Sequence, residues 1–327
     1  MPGISQGPYD ASIVILTKDG GRYLRATLDG VFSQPGRFEV VAVDSGSTDA
    51  TLEILARYNV RVVSIPPGEF NHGLTRNLGA ANASPGSRYI VFLTQDATPL
   101  PGWLEGLIRP MEEDPEVAGV FSRQAPREGG SPIVRRYMTE VWEQCGGTVR
   151  VVKKITDPED YRRRTRWYVT FANPSSAVRR AVLDKFPFRE AEFGEDILWA
   201  KDVLEAGWKL VYEPSSAVVH SHDYTLVEQF RQNFDDASAE SGVAASGSGM
   251  GRPLARLPGK MATDAAYIWR GGGTLLYRLG WILYMPLWHL ATLSGAFLGA
   301  RKGRLPKFLA GLFSRQSGIK RGRYSGD

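Results

Sequence analysis

The first hundred residues alternate between two patterns of apolar and polar positions. Short apolar runs rich in β-branched residues, such as ASIVILT at 11–17, are typical of buried parallel strands. Between these runs lie segments in which apolar residues recur every three to four positions, as in an amphipathic helix. Because the two patterns alternate through short links, the sequence predicts a doubly wound, mostly parallel α/β sheet here.

The pattern becomes less regular after residue 110. RRYMTEVWEQ at 135–144 has helical spacing. GEDILWAKDVLEAG at 194–207 predicts a helix that stops at Gly207, and the apolar residues after it predict another strand.

These patterns divide the chain into three regions. Residues 10–235 are predicted to form a main domain, with halves at about 10–110 and 111–235. Residues 236–253 are rich in Gly, Ser and Ala and are typical of a flexible linker. Residues 254–327 are predicted to be a helical extension.

Composition narrows the class of protein. The chain has 327 residues, of which 43% are hydrophobic and 23% charged, as in ordinary globular proteins. Its single cysteine, Cys145, excludes an internal disulfide and fits a reducing compartment. The first ten residues lack a basic segment followed by a long apolar one, so no secretory signal is predicted.

Positive charge is concentrated at the C-terminus. Residues 301–327 carry a net charge of +7 against +5 for the whole chain, so the other 300 residues sum to −2. Because the basic residues lie in the tail and no recognised module is present, nucleic-acid binding is not expected. The uncharged stretch 279–300 is interrupted by Pro286 and His289, which favours a helix that packs on the protein or lies on a bilayer over a spanning helix.

Polar residues follow the predicted strands where a ligand would bind. In open α/β sheets ligands bind at the carboxyl ends of the strands, which selects residues 17–19, 44–49 and 94–98. The Asp44 carboxylate can accept hydrogen bonds from a base or ribose, although such a residue can also serve only its own turn. The candidates for ligand binding at these strand ends are Thr17, Asp19, Asp44, Ser45 and Gln95.

Two further stretches carry metal-ligand chemistry. Asp96 follows the most apolar predicted strand, where a carboxylate can bind Mg²⁺ or simply form a turn. His220 and His222 lie at strand spacing, which predicts that both side chains point to one face and suit a metal or a diphosphate.

Glu195 and Asp196 are adjacent at the predicted start of a helix. The helix dipole favours acids in a first turn, so the pair has a purely structural explanation. Alternatively, one of the two carboxylates deprotonates an alcohol as a general base.

The ordered set of motifs resembles glycosyltransferase family 2 with the GT-A fold. Five stretches carry the resemblance, over roughly residues 11–235: SIVILTKDGGRYLRATLDGVFSQ, VVAVDSGSTDATLEI, FNHGLTRNLGA, YIVFLTQDATPLPGWLEGL and FGEDILWAKDVLEAGWKLVYEPSSAVVHSH. Within that family the chain looks most like bacterial rhamnosyltransferases of polysaccharide assembly. The resemblance implies transfer, with inversion, from a nucleotide-diphosphate sugar, with L-rhamnose from dTDP-L-rhamnose as the favoured donor.

The resemblance also implies roles for individual residues. Asp196 becomes the base, supported by Glu195, and the N-terminal half becomes the nucleotide-sugar half. Asn71, His72 and Arg76 would line the donor, whereas Asp96, His220 and His222 would lie at Mg²⁺ or Mn²⁺. The family's usual Asp-x-Asp is Thr94-Gln95-Asp96 here, and its common Tyr–Asn pair after the first strand is Lys18-Asp19.

The implied acceptor is a glycan or a lipid-linked glycan held by the second half. Trp142 could stack on a sugar and Glu143 could bond to it, although core packing is the simpler role for Trp142. The expected location is the cytoplasm, at the inner face of the cell membrane, with the basic tail on the membrane surface; a homodimer is left open.

Alternatives to this function remain open on the sequence alone. One is transfer of another hexose (GlcNAc, mannose, glucose or galactose) from a UDP- or GDP-sugar. Another is a non-catalytic sugar- or nucleotide-binding scaffold, given the altered Asp-x-Asp. A sugar nucleotidylyltransferase is disfavoured because TKDGGRY lacks the Gly-rich, Arg/Lys-containing loop that it requires.

Overall fold

The computed structural model describes residues 10–191, 193–242 and 251–320. These residues form two compact units. The first contains residues 10–124 and 145–220, and the second contains residues 125–144 and 221–320.

The secondary-structure elements follow the chain in this order. The N-terminal part contains β1 (Ala11–Thr17), α1 (Leu24–Phe32), β2 (Phe38–Asp44), α2 (Thr51–Leu55), β3 (Val60–Ser64), α3 (His72–Ala81), β4 (Tyr89–Thr94), β5 (Thr98–Pro99), α4 (Trp103–Glu113), β6 (Val117–Ala125) and α5 (Pro132–Cys145). After these come β7 (Val151–Lys153), α6 (Pro158–Val169), β8 (Ser175–Arg179), α7 (Arg180–Lys185), α8 (Glu195–Glu205), β9 (Lys209–Val219), α9 (Leu226–Ser241), α10 (Gly251–Arg270), α11 (Leu275–Gly299), α12 (Lys307–Phe313) and α13 (Arg315–Lys320).

The strands of the first unit form one mixed sheet. Its order is β3-β2-β1-β4-β8-β6-β9-β5, and β7 also pairs with β9. The first four strands of this order are parallel, as the alternating pattern predicts. Beyond them β8 runs antiparallel to β4 and β6, and β9 runs antiparallel to β5 and β7.

Helix α3 packs closely on the parallel strands. Gly79 lies on its buried face, and a Cβ there would be 2.3 Å from Val14 Cγ1 and 3.3 Å from Val43 Cγ2. Helix and sheet can approach this closely because glycine has no side chain. The packing fixes the position of α3, whose N-terminal residues enter the site described below.

Six helices make up most of the second unit: α5, α9, α10, α11, α12 and α13. Helix α9 begins with a capping box in which the Thr225 side chain accepts from the Glu228 backbone and the Glu228 side chain accepts from the Thr225 backbone. It packs against α11 at glycines, since a Cβ on Gly295 or Gly299 would lie 2.2 or 2.1 Å from the carbonyl oxygens of Phe230 or Phe234. The predicted helical extension is confirmed as far as residue 320.

Two sequence predictions are corrected here. The linker predicted at 236–253 is helical at both ends, because α9 extends to Ser241 and α10 starts at Gly251. Packing against α11 outweighs the weak helix propensity of the small residues in α9; residues 243–250 lie outside the described residues. The strand predicted to contain His220 and His222 ends earlier, at Val219, whereas their predicted grouping at one site stays a prediction.

Gly79→Ala should lower the free energy of unfolding by about 1–3 kcal/mol, because the added methyl overpacks the contact with Val14. The measurement is thermal or urea unfolding. Gly259→Ala is the matched control, since it is helical and no heavy atom lies within 4 Å of its added Cβ. Equal stability of the two variants would contradict the close packing of α3.

Candidate active site

Hydrogen bonds tie together the carboxyl ends of β1 and β2. Asp44 Oδ2 accepts from Thr17 Oγ1 at 3.0 Å, and Asp44 Oδ1 accepts from the backbone N–H groups of Gly46 and Ser47 at 3.0 and 2.9 Å. Ser45 Oγ donates to the Thr17 carbonyl at 3.2 Å. Asp44 is 1% exposed, so its carboxylate serves its own turn in this structure, and its predicted contact with a base stays a prediction.

The end of β4 is joined to the same rim through Gln95. Its Oε1 accepts from the Lys18 backbone N–H and its Nε2 donates to the Lys18 carbonyl, both at 2.9 Å. Asp19 has a left-handed φ of +46°, and its Oδ1 accepts from the Thr48 backbone at 2.7 Å. Burial raises the pKa of Asp19, but the bonds from Thr48 and the charge of Lys18 outweigh it and lower the pKa overall. Asp19 is therefore an anionic, partly exposed group at this rim.

The polar residues of α3 hold the segment that leads into α8. Asn71 caps α3 through Oδ1, and its Nδ2 donates to the Ala191 carbonyl at 3.0 Å. Asn77 exchanges two bonds with the Phe188 backbone, at 2.8 and 3.1 Å. A Cβ on Gly73 would lie 2.2 Å from the Arg189 carbonyl oxygen. The segment that leads into α8 can therefore pack against α3 only because residue 73 is a glycine.

Arg76 completes this set of contacts with a buried ion pair. Its Nη1 lies 2.7 Å from Glu195 Oε1, and the two side chains are 6% and 5% exposed. The same Nη1 donates to the His72 carbonyl at 3.1 Å. The structure thus gives Arg76 a protein carboxylate as partner, and its predicted place along the donor stays a prediction.

Asn173 connects the two acids. Its Nδ2 donates to Glu195 Oε1 at 3.0 Å, and its backbone N–H donates to Asp196 Oδ2 at 3.2 Å. Its Oδ1 accepts from Ser176 Oγ at 2.9 Å, which fixes the orientation of the amide. Asp196 Oδ1 accepts from the Ile197 backbone at 2.9 Å, so both of its oxygens are held by backbone donors.

The two carboxyl groups have opposite pKa shifts. Burial raises the pKa of Glu195, but Arg76, His72 and Asn173 outweigh burial and lower the pKa overall. Burial and the negative charge of Glu195 raise the pKa of Asp196 to about 7. Asp196 is only partly buried, so a partly accessible carboxyl group with a raised pKa stands next to a buried one with a lowered pKa.

Strand pairing places this carboxyl pair beside the end of β4. Ser175 of β8 pairs with Leu93 of β4, and the Thr94 N–H donates to the Pro174 carbonyl at 3.2 Å. Asn173 therefore lies next to the residues that follow β4, namely Gln95 and Asp96.

Asp96 and His220 face each other at this rim. His220 Nε2 lies 3.3 Å from Asp96 Oδ2, and His220 Nδ1 lies 2.8 Å from Gln124 Oε1. If His220 Nδ1 carries the proton and donates to Gln124, Nε2 offers a lone pair towards the carboxylate. Two donors bound to one cation at ~2.1 Å and at right angles are ~3 Å apart, so this pair has a spacing that fits a divalent ion.

Aromatic contacts surround two predicted site residues, and a third is largely buried. The ring of His222 stacks on that of Tyr224 at 5.1 Å, and its predicted role as a metal ligand stays a prediction. The ring of His72 lies 4.9 Å from that of Phe70 and 6.1 Å from that of Phe193. Trp142 is 7% exposed, which favours core packing over stacking on a sugar, whereas Glu143 is exposed.

Sequence reasoning missed Asn173 and Gln124 as site residues. Asn173 stands in FANPSS, where Asn before Pro signals a turn and gives no sign of its bonds to acids 22 and 23 positions later. Gln124 lies near the end of the apolar strand β6 and carries no motif. Only the register of the sheet brings either residue to the site.

Comparison with known proteins gives the family. Residues 12–186, more than half of the chain, match the family described as glycosyl transferase family 2. The chain is 33% identical over 201 residues to the O-antigen chain rhamnosyltransferase WbaN of Salmonella anatum. This match covers 60% of this chain and 61% of WbaN. It is 30% identical over 231 residues to the O-antigen chain rhamnosyltransferase RfbN of Salmonella typhimurium. This match covers 68% of this chain and 70% of RfbN.

Solved structures show the same fold at lower identity. The mannosyltransferase PcManGT of Pyrobaculum calidifontis, in complex with GDP-Man and Mn²⁺, superposes with a TM-score of 0.56 and 17% identity, over 90% of this chain and 87% of that chain. Glucosyl-3-phosphoglycerate synthase of Mycobacterium tuberculosis, in complex with phosphoglyceric acid, superposes with a TM-score of 0.51 and 19% identity. The match covers 74% of this chain and 83% of that chain. With its sheet, its helical C-terminal region and these relatives, the chain belongs to glycosyltransferase family 2 and has the GT-A fold.

Proposed function

We propose that the protein transfers a sugar, with inversion, from a nucleotide-diphosphate sugar to a hydroxyl of a glycan or lipid-linked glycan. The observation that carries this proposal is the geometry of the Glu195–Asp196 pair, in which burial and the negative charge of Glu195 raise the pKa of the partly exposed Asp196 to about 7. A base of that pKa is suited to removing a hydroxyl proton near neutral pH.

The chemical step follows from this arrangement. The acceptor oxygen attacks the anomeric carbon of the donor while the bond from that carbon to the diphosphate oxygen breaks. The acceptor proton passes to Asp196, and the diphosphate leaves with the electrons of the broken bond. The backbone donors of Asn173 and Ile197 orient the Asp196 carboxylate for this transfer.

Asp96 and His220 would hold a divalent cation, with His222 as the predicted third ligand. Their chemistry fits Mn²⁺ or Mg²⁺, since one carboxylate and one imidazole leave further positions for diphosphate oxygens and water. When bound, such an ion neutralises negative charge on a leaving diphosphate. Asp19 and Lys18, both partly exposed at the same rim, are proposed to contact the nucleotide.

L-rhamnose from dTDP-L-rhamnose is the proposed donor, supported by the two O-antigen chain rhamnosyltransferases that the chain resembles. Work on a lipid-linked glycan would place the protein at the inner face of the cell membrane, as the sequence predicts.

Incubation with a panel of dTDP-, UDP- and GDP-sugars should give slow donor hydrolysis with dTDP-L-rhamnose, and EDTA should suppress it because the diphosphate charge is then not neutralised. Mass spectrometry of the released nucleotide and sugar is the measurement. Hydrolysis of a different donor would reassign the sugar, and binding without any turnover would indicate a scaffold.

Asp196→Asn should lower the transfer rate by about a hundred- to ten-thousandfold, because the amide cannot accept the hydroxyl proton. Donor affinity, measured by calorimetry, should stay within about twofold of wild type, since the amide keeps the shape of the carboxyl. Asp184→Asn, on the exposed face of α7, is the matched control. Transfer at the wild-type rate by Asp196→Asn would remove Asp196 from the role of base.

The pH dependence follows from the raised pKa of Asp196. Only the deprotonated form accepts a proton, so kcat/KM should fall about tenfold per unit as the pH drops below about 7. Glu195→Gln removes the charge that raises this pKa and should move the acidic limb to lower pH. If the acidic limb of the kcat/KM profile stays at the same pH in this variant, with the fold verified by thermal melting, the charge of Glu195 does not raise the pKa of Asp196.

A further inference from the structure

Helix α11 carries an exposed stripe of leucines that neither the fold nor the proposed transfer uses. Its five members lie three or four positions apart and fall within an arc of about 80° at the helical repeat. Their exposed fractions are high for large apolar side chains: Leu276 82%, Leu279 41%, Leu283 76%, Leu287 52% and Leu290 64%. We call these five residues the leucine stripe.

The opposite face of α11 is buried within the second unit. Met285 and Trp288 pack into an apolar cluster with Ile133 and Ile268. His289 Nε2 lies 2.9 Å from Asp264 Oδ2 on α10, with both side chains buried. One side of α11 is therefore fixed to protein, and the other side presents leucine over about 21 Å.

By length and composition α11 could cross a membrane, with a mean hydropathy of 1.2 over its best stretch. Its buried hydrogen bond to Asp264 argues for a different placement. A spanning α11 would take Asp264 and the charged residues of α10 into the hydrocarbon, which is unfavourable. A helix that lies along the surface needs only its leucine stripe in the apolar region.

The net charge of the segment that contains the leucine stripe indicates its occupant. Residues 251–320 contain eleven Lys and Arg and one acid, Asp264, which is buried against His289. The exposed basic side chains include Arg256, Arg270, Arg304 and Lys307. Two such segments facing each other would repel, which disfavours a second copy of the chain. An anionic lipid surface complements both the charge and the leucines.

Other exposed residues of this unit suit the same surface. Phe308 and Leu312, 73% and 47% exposed, lie one turn apart on α12 directly after Lys307. Trp269 and Tyr277, 50% and 41% exposed, flank the start of α11, and such aromatic residues prefer the headgroup region of a bilayer.

We propose that the leucine stripe of α11 inserts into the surface of an anionic bilayer, with the helix lying along the membrane and the surrounding Lys and Arg on the lipid headgroups. The proposal goes beyond the sugar transfer and is tested without any donor.

The test is flotation of the full-length protein with vesicles of phosphatidylcholine, alone or with phosphatidylglycerol as the minor component. Wild type should bind the anionic vesicles. Leu283→Ser combined with Leu287→Ser should bind them roughly tenfold or more weakly, because apolar area that enters the bilayer is lost. Arg304→Gln combined with Lys307→Gln should weaken binding only to the anionic vesicles.

The matched control is Val149→Ser combined with Val152→Ser, which changes two valines of the first unit that are 65% and 52% exposed. It should bind the anionic vesicles as wild type does, and circular dichroism verifies that every variant folds. Sedimentation velocity without lipid tests the second copy as occupant. The proposal is overturned by absent binding of wild type, by unchanged binding of the leucine variant, or by a dimer that the leucine variant dissociates.

Discussion

The ion pair between Arg76 and Glu195 is the interaction on which the candidate active site depends. Both side chains are almost fully buried, so removing either one would leave an uncompensated charge, at a cost of about 3–5 kcal/mol. The pair keeps Glu195 ionised, and the charge of Glu195 in turn raises the pKa of Asp196. A stabilising contact between α3 and α8 thus also sets the protonation of the proposed base.

The same dependence explains the polar residues of FNHGLTRN. Asn71, Arg76 and Asn77 bond to Ala191, Glu195 and Phe188, and Gly73 leaves room for that segment. Sequence reasoning predicted that Asn71 and Arg76 line the donor, and that role stays a prediction. It could not predict their partners, because those partners lie more than 110 positions further along the chain.

Sequence patterns predicted the elements whose formation depends mainly on neighbouring residues. The strands β1 to β4 and the stop at Gly207, which has a φ of +91°, follow from runs of apolar residues and from the freedom of glycine. The predicted strand ran past its end at Val219 because nothing local marks the end of β9, and composition misled at 236–241 because packing on α11 decides the conformation. The bonds of Asn173 depend on the pairing of β8 with β4, which no local pattern contains.

The altered Asp-x-Asp acquires a physical meaning from the structure. Gln95, in the middle of the motif, is used to hold the Lys18 backbone, and Thr94 stands where the family's first carboxylate would be. His220, held by Gln124, lies next to Asp96 and would supply a second donor in the proposed cation site. Replacing a carboxylate by an imidazole removes one negative charge from the set of ligands. It also makes that set softer, because an imidazole nitrogen is a softer ligand than a carboxylate oxygen. This shifts the proposed cation preference from Mg²⁺, a hard ion, towards Mn²⁺, and leaves more of the cation's charge for the diphosphate of the donor.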